Sequence, residues 1–120
     1  MRSVLVVDDS AAIRALIKSL IGEMGDFNIV EAASGFEALK ELPREKFDLI
    51  VTDINMPDIN GLELINFVKA DQRYCGIPLI VVTTEKGNRE KGLALGASGY
   101  LTKPFKAQEF QEVIEKILGL

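Results

Sequence analysis

Short apolar runs alternate along the chain with segments whose apolar residues recur three and four positions apart, about five times over. Runs of the first kind suit strands covered on both faces, and the helical spacing between them suits crossover connections. The pattern therefore predicts an α/β domain built on a parallel sheet. Residues 3–7 (SVLVV) predict the first strand. Ser10 then stands as the N-cap of a helix whose stripe is Ile13, Leu16, Ile17, Leu20, Ile21 and Met24, closed by Gly25. Residues 28–32 predict a second strand, and residues 34–42 a short helix stopped by Pro43. The third strand, residues 47–53, is followed by a turn and a helix whose inner face carries Leu64, Ile65 and Val68. Residues 78–84 predict the fourth strand. A fourth helix is expected over residues 85–95, weakened by Gly87 and Gly92. Each of these costs about 0.8–1 kcal/mol relative to Ala in a helix interior, which makes this the most yielding element. The fifth strand, residues 99–103, is broken by Pro104, and Phe110, Val113, Ile114, Ile117 and Leu118 form the stripe of a last helix.

The polar residues at the ends of these runs are of a restricted kind. Asp8 and Asp9 follow the first strand, Asp53 ends the third, Thr83 and Thr84 end the fourth, and Lys103 ends the fifth. In open parallel sheets ligands bind beyond the carboxyl ends of the strands. If the five strands run parallel, these residues share one edge and form one site. Three carboxylates held close together repel one another, and a small divalent cation removes the conflict. Magnesium suits a few hard oxygens better than zinc or calcium, because the chain has no histidine and a single cysteine. An acidic pair alone is as readily a solvated turn or a helix cap. What favours a site is the company of Asp53, Thr83 and Lys103. Most lysines are solvated, but Pro104 restricts Lys103 to extended backbone and so sets where its stem leaves the strand.

Composition narrows the function classes. The chain has 120 residues, 48% of them hydrophobic, and residues 1–120 are expected to form one domain around one core. The formal charge is -4 with scattered lysines and arginines, so no direct nucleic-acid binding is expected. No apolar run approaches the ~18 residues of a membrane span, and the N-terminus lacks a secretory pattern. A cytoplasmic location without membrane insertion is the resulting expectation. Cys75 stands alone, which rules out an internal disulfide, and it reads as a loop bystander. Without histidine, polar chemistry falls to Asp, Glu, Lys, Ser and Thr.

In order and spacing, "VVDDS", "VTDINMPDINGLEL", "VVTTE" and "YLTKPF" resemble the motifs of the receiver domain of two-component response regulators, above all its single-domain chemotaxis type. The resemblance covers essentially the whole chain. It implies a flavodoxin-like five-stranded parallel sheet of order 2-1-3-4-5, with five helices on its two faces. It also implies that Asp53 is the phosphoacceptor, a carboxylate nucleophile that becomes an acyl phosphate. Asp8 and Asp9 resemble the magnesium-binding acidic pair, Asp9 as direct ligand and Asp8 partly through water, with Asp53 and the backbone carbonyl of Asn55 completing the set. Lys103 resembles the lysine that pairs with the carboxylate and then with the phosphoryl oxygens, and Thr83 the hydroxyl that bonds the phosphoryl group. Tyr100 resembles the aromatic switch residue that turns inward on activation. The surface of the fourth helix, fifth strand and last helix is then the output face.

Asn55 and Glu85 occupy the flanking positions that tune loss of the acyl phosphate. Thr84 stands where the family usually carries something smaller, such as Ala, and the bond before Pro104 is cis in the family. The implied partners are a sensor histidine kinase or phosphotransfer protein and a downstream protein target. The chain would be no enzyme beyond promoting its own phosphorylation and dephosphorylation. Three other readings compete. A flavodoxin-like electron carrier needs a Ser/Thr/Gly-rich loop where Asp8 and Asp9 stand. A phosphatase of the haloacid dehalogenase type, which also forms an aspartyl phosphate, needs an Asp where Asn55 stands. A receiver-like interaction module indifferent to phosphorylation is disfavoured because all five functional positions are filled.

Overall fold

The computed structural model describes residues 1–120. Five strands and five helices follow one another as β1 (Arg2–Val7), α1 (Ala11–Gly22), β2 (Phe27–Ala32), α2 (Gly35–Glu41), β3 (Leu49–Thr52), α3 (Gly61–Ala70), β4 (Leu79–Thr83), α4 (Arg89–Ala94), β5 (Gly99–Thr102) and α5 (Ala107–Leu118). All neighbouring strands are parallel, in the order β2-β1-β3-β4-β5. This is the flavodoxin-like fold that the motifs imply.

Every residue of β3 and β4 is buried, as are Val4 to Val7 of β1. Successive side chains of a strand point to opposite faces, so an unbroken apolar run feeds two cores at once. Leu5, Val7, Ile50, Leu79 and Val81 meet Ala38 of α2 and Leu64, Ile65 and Val68 of α3. On the other face Val4, Val6, Leu49, Val51, Ile80 and Val82 meet Ile17, Leu20 and Ile21 of α1 and Phe110 and Ile114 of α5.

Some boundaries differ from the sequence reading. Leu16 is 45% exposed although it belongs to the α1 stripe. The sheet covers an arc narrower than that stripe, and Ile13 and Met24 at its ends are only half-buried. α1 stops at Gly22, and Gly25 takes a φ of 142°, which reverses the chain toward β2. Pro43 does not close α2 directly but sits inside a 3-10 turn over Leu42–Arg44. The largest difference is α4, which begins at Arg89 rather than at residue 85. The backbone of Glu85 is engaged elsewhere: its N–H donates to Thr83 Oγ1 at 3.2 Å, and its carbonyl accepts the Tyr100 hydroxyl. A residue held on both sides in this way is pulled out of the first turn, and Gly87 adds no propensity to restore it.

Candidate functional site

Sheet register brings the polar strand ends together. Val7 is paired with Ala32 on one side and Thr52 on the other. The ladder continues one step further, with Asp8 N–H donating to Ala32 O at 3.1 Å and Asp53 N–H donating to Val7 O at 3.0 Å. Asp8 and Asp53 therefore leave adjacent strands at the same level. On the far side Thr83 pairs with Thr102, and Lys103 N–H donates to Thr83 O at 2.7 Å.

The Lys103 ammonium spans the two acids. Nζ donates to Asp8 Oδ2 at 2.8 Å and to Asp53 Oδ2 at 3.2 Å. Burial alone would lower the lysine's pKa, but the hydrogen bond to Asp8 and the charges of Asp53 and Asp8 outweigh it and hold the ammonium above its ordinary range. The remaining carboxylate oxygens have local donors. Ser10 N–H reaches Asp8 Oδ1 at 2.9 Å, and Ile54 N–H reaches Asp53 Oδ1 at 2.6 Å, with Asn55 N–H at 3.4 Å. Asp8 is only 2% exposed, whereas Asp9 is exposed.

Oxygens of Asp8, Asp9 and Asp53 lie within 4.8 Å of one another. One ammonium cannot balance three carboxylates, and the donor set is oxygen alone, so the residues fit a small, hard dication such as magnesium. Thr83 is fully buried, and its hydroxyl oxygen accepts from Glu85 N–H. Thr84 is exposed and lines an apolar groove with Ile13, Leu16, Lys103, Pro104 and Phe105. Tyr100 is 5% exposed, so its ring already lies inward, with the hydroxyl on Glu85 O. The bond between Lys103 and Pro104 is cis.

The loop from β3 to α3 has its own anchors. Asn60 and Glu63 form a reciprocal capping box at the start of α3. Asp58 reaches across to the N-terminus of α2 and accepts from Gly35 N–H at 3.0 Å and Phe36 N–H at 2.8 Å, as well as from Ile59 N–H at 2.7 Å. Desolvation pushes the Asp58 carboxyl upward, but the bonds from Phe36, Ile59, Gly35 and the Ser34 hydroxyl win and bring its pKa from 3.8 down to about 2. A depressed carboxyl means that the unfolded chain binds more protons, so this contribution is complete above the unfolded value and fades as pH falls through about 2. Asp58→Asn is expected to lower the urea midpoint near neutral pH, with the gap to wild type closing between about pH 5 and pH 2. A gap that persists at the acid end would show that the charge contributes nothing.

Three contributors escaped the sequence reading. Arg14 Nη1 donates to Asp8 O at 2.6 Å, Thr52 Oγ1 donates to Asp53 O at 2.9 Å, and Asp58 ties the loop to α2. Arg14 carried a faint signal, as a charge beside the apolar stripe in the first turn of the helix that follows the acidic pair. The partner of Asp58, 22 positions away in Phe36, carried none.

The chain matches the family model of the response regulator receiver domain over residues 4–115. It is 42% identical over 118 residues to a chemotaxis protein CheY homolog of Campylobacter jejuni, covering 96% of this chain and 91% of that one. Among solved structures it is similar to the chemotaxis response regulator CheY4 of Vibrio cholerae, with a TM-score of 0.89 and 34% identity over 98% of this chain and 99% of that one. It is similar to the same degree to the response regulator TrrA of Thermotoga maritima in complex with Mg2+-BeF, over 98% of this chain and all of that one (TM-score 0.89, 34% identity, 100% covered). Sequence, sheet order and the acidic strand ends agree along the length of the molecule, and the chain belongs to the response regulator receiver family, as a CheY-type regulator of two-component signalling.

Proposed function

We propose that residues 1–120 act as one receiver domain in which Asp53 accepts a phosphoryl group from a sensor histidine kinase or phosphotransfer protein. The α4–β5–α5 face then controls a downstream protein. The observation that carries this reading is the Lys103 ammonium shared between Asp8 and Asp53, drawn together from positions 95 and 50 residues away. Asp53 Oδ1 is tied to the backbone of Ile54, which leaves Oδ2 on the Lys103 side as the attacking oxygen. That oxygen forms a bond to phosphorus as the bond to the donor's leaving atom breaks, and the product is an acyl phosphate. Phosphoryl transfer asks the protein mainly for positioning and for positive charge around the equatorial oxygens. Lys103 supplies one such charge. Magnesium held by Asp8, Asp9, Asp53 and the Asn55 carbonyl would supply more, consistent with the Mg2+-BeF complex of the Thermotoga protein.

The Thr83 hydroxyl oxygen already accepts from Glu85 N–H, so its own proton is available to a phosphoryl oxygen. Glu85 connects this hydroxyl to the output face, since its N–H holds Thr83 and its carbonyl holds Tyr100. A pull on Thr83 thus reaches the ring of Tyr100 and the short helix α4, redistributing arrangements by its differential affinity for them. Asn55, Thr84, Glu85 and Pro104 border the path of donor and water.

Electrospray mass spectrometry after incubation with acetyl phosphate tests the reading. With magnesium the chain is expected to gain the mass of one phosphoryl group, and with a chelator in its place the gain should disappear. Equal labelling in the two samples would remove magnesium from the proposal. Turnover of generic phosphate esters would point instead to an aspartyl-phosphate phosphatase.

A further inference from the structure

We propose that Arg14, braced by Glu31, is the positioning residue that sets the acidic pair for cation binding. The inference rests on the cation site proposed above and adds to it a group that lies outside the acidic cluster. Arg14 stands in the first turns of α1, and its side chain is only 16% exposed. Its guanidinium is used in two directions. Nη1 donates to Asp8 O at 2.6 Å, and Nε donates to Glu31 Oε1 at 3.1 Å. Glu31 is on β2, paired with Val6, and therefore lies beside the strand that delivers the acids.

The carbonyl that Arg14 holds belongs to the peptide unit joining Asp8 to Asp9. Every other polar group of Asp8 is also engaged: N–H on Ala32 O, Oδ1 on Ser10 N–H, and Oδ2 on Lys103 Nζ. With all four groups held, the peptide plane is locked, and that plane determines the direction in which Asp9 leaves the chain. Asp9 has no hydrogen-bonding side-chain partner of its own among the contacts of the site. Its direction is therefore set through Arg14. Glu31 does the complementary work of keeping the guanidinium on the carbonyl. Released from Glu31, the guanidinium would keep only one of its two anchors and would hold the Asp8 carbonyl less firmly.

This arrangement makes a distinctive prediction of sign. Arg14 is positive, so on charge alone its removal should strengthen cation binding. On positioning it should weaken it, because partners that orient ligands without touching the metal are typically worth about 10–100-fold in affinity. Arg14→Gln is expected to lower the affinity for magnesium, measured by calorimetry on the unphosphorylated protein, by roughly 10-fold or more. Arg14→Lys keeps the charge but lacks the fork that serves two acceptors, and it is expected to lose a comparable factor. In the metal-free state, the amide resonances of Asp9 and Ser10 should broaden or shift in both variants, while the urea midpoint changes little.

Affinity that is unchanged or raised in a folded Arg14→Gln or Arg14→Lys protein overturns the inference. Should one variant fail to fold, the other gives the same decision. Failure of the wild-type chain to bind magnesium overturns the cation site itself, and is distinguished from failure of this inference by that first titration.

Discussion

An Asp53→Asn chain incubated with acetyl phosphate and magnesium is expected to gain no mass while melting close to the wild-type temperature. In the proposed reaction an anionic Asp53 oxygen attacks phosphorus, and the amide has none, so the loss is of the nucleophile outright and not merely of some rate. The fold is spared for a local reason. The Asn carbonyl oxygen can still accept from Ile54 N–H, the 2.6 Å bond that orients this side chain. Losing the charge removes the 3.2 Å interaction with Lys103, but it also relieves repulsion from Asp8 and Asp9. The two effects oppose each other, leaving a net change within about 1 kcal/mol. Loss of labelling in a folded protein assigns the chemistry to Asp53. Uptake of a phosphoryl group by the variant moves the acceptor to another residue.

Gly61→Ala is expected to have the largest effect on stability. A Cβ at this position would lie 2.1 Å from Asp53 O and 2.9 Å from both Asp53 C and Ile54 Cα. These are backbone atoms at the end of β3, and they cannot step aside as a side-chain tip can. The start of α3 must retreat, which strains the 2.9 Å bond from Gly61 N–H to Ile54 O and drags the segment carrying Asp53 and Asn55. Overpacking together with a weakened hydrogen bond amounts to about 2–4 kcal/mol. Gly22→Ala is the internal control, because nothing lies within 4 Å of its added carbon. That change should be neutral or mildly stabilising, as the lower backbone entropy of the unfolded chain favours it. Similar urea midpoints for the two variants would mean that the Asp53–Gly61 contact yields more easily than its geometry implies.

The same contact shows what kind of information a sequence carries. Gly61 stands in "MPDINGLEL", where a turn passes into a helix, but nothing in its neighbours says that it must admit the Asp53 carbonyl. Leu16 reads as a core residue by spacing and yet is largely exposed, because spacing reports which face a residue occupies and not how far the sheet extends beneath it. Residues 85–88 read as helix, and they were diverted by Thr83 and Tyr100, two groups on neighbouring strands.

What the amino-acid sequence determined by itself was local and periodic: five apolar runs, the helices between them, and the polar residues that terminate four of those runs. Parallel order then places those termini at one edge, which is why Asp8, Asp9, Asp53 and Lys103 could be grouped before any coordinates. Tertiary structure alone decided the pairings that bridge elements: Arg14 with Glu31 and the Asp8 carbonyl, Asp58 with the start of α2, and Tyr100 with Glu85. Periodicity encodes a residue's direction relative to its own backbone. Which group it meets there depends on register and packing between segments far apart in the chain.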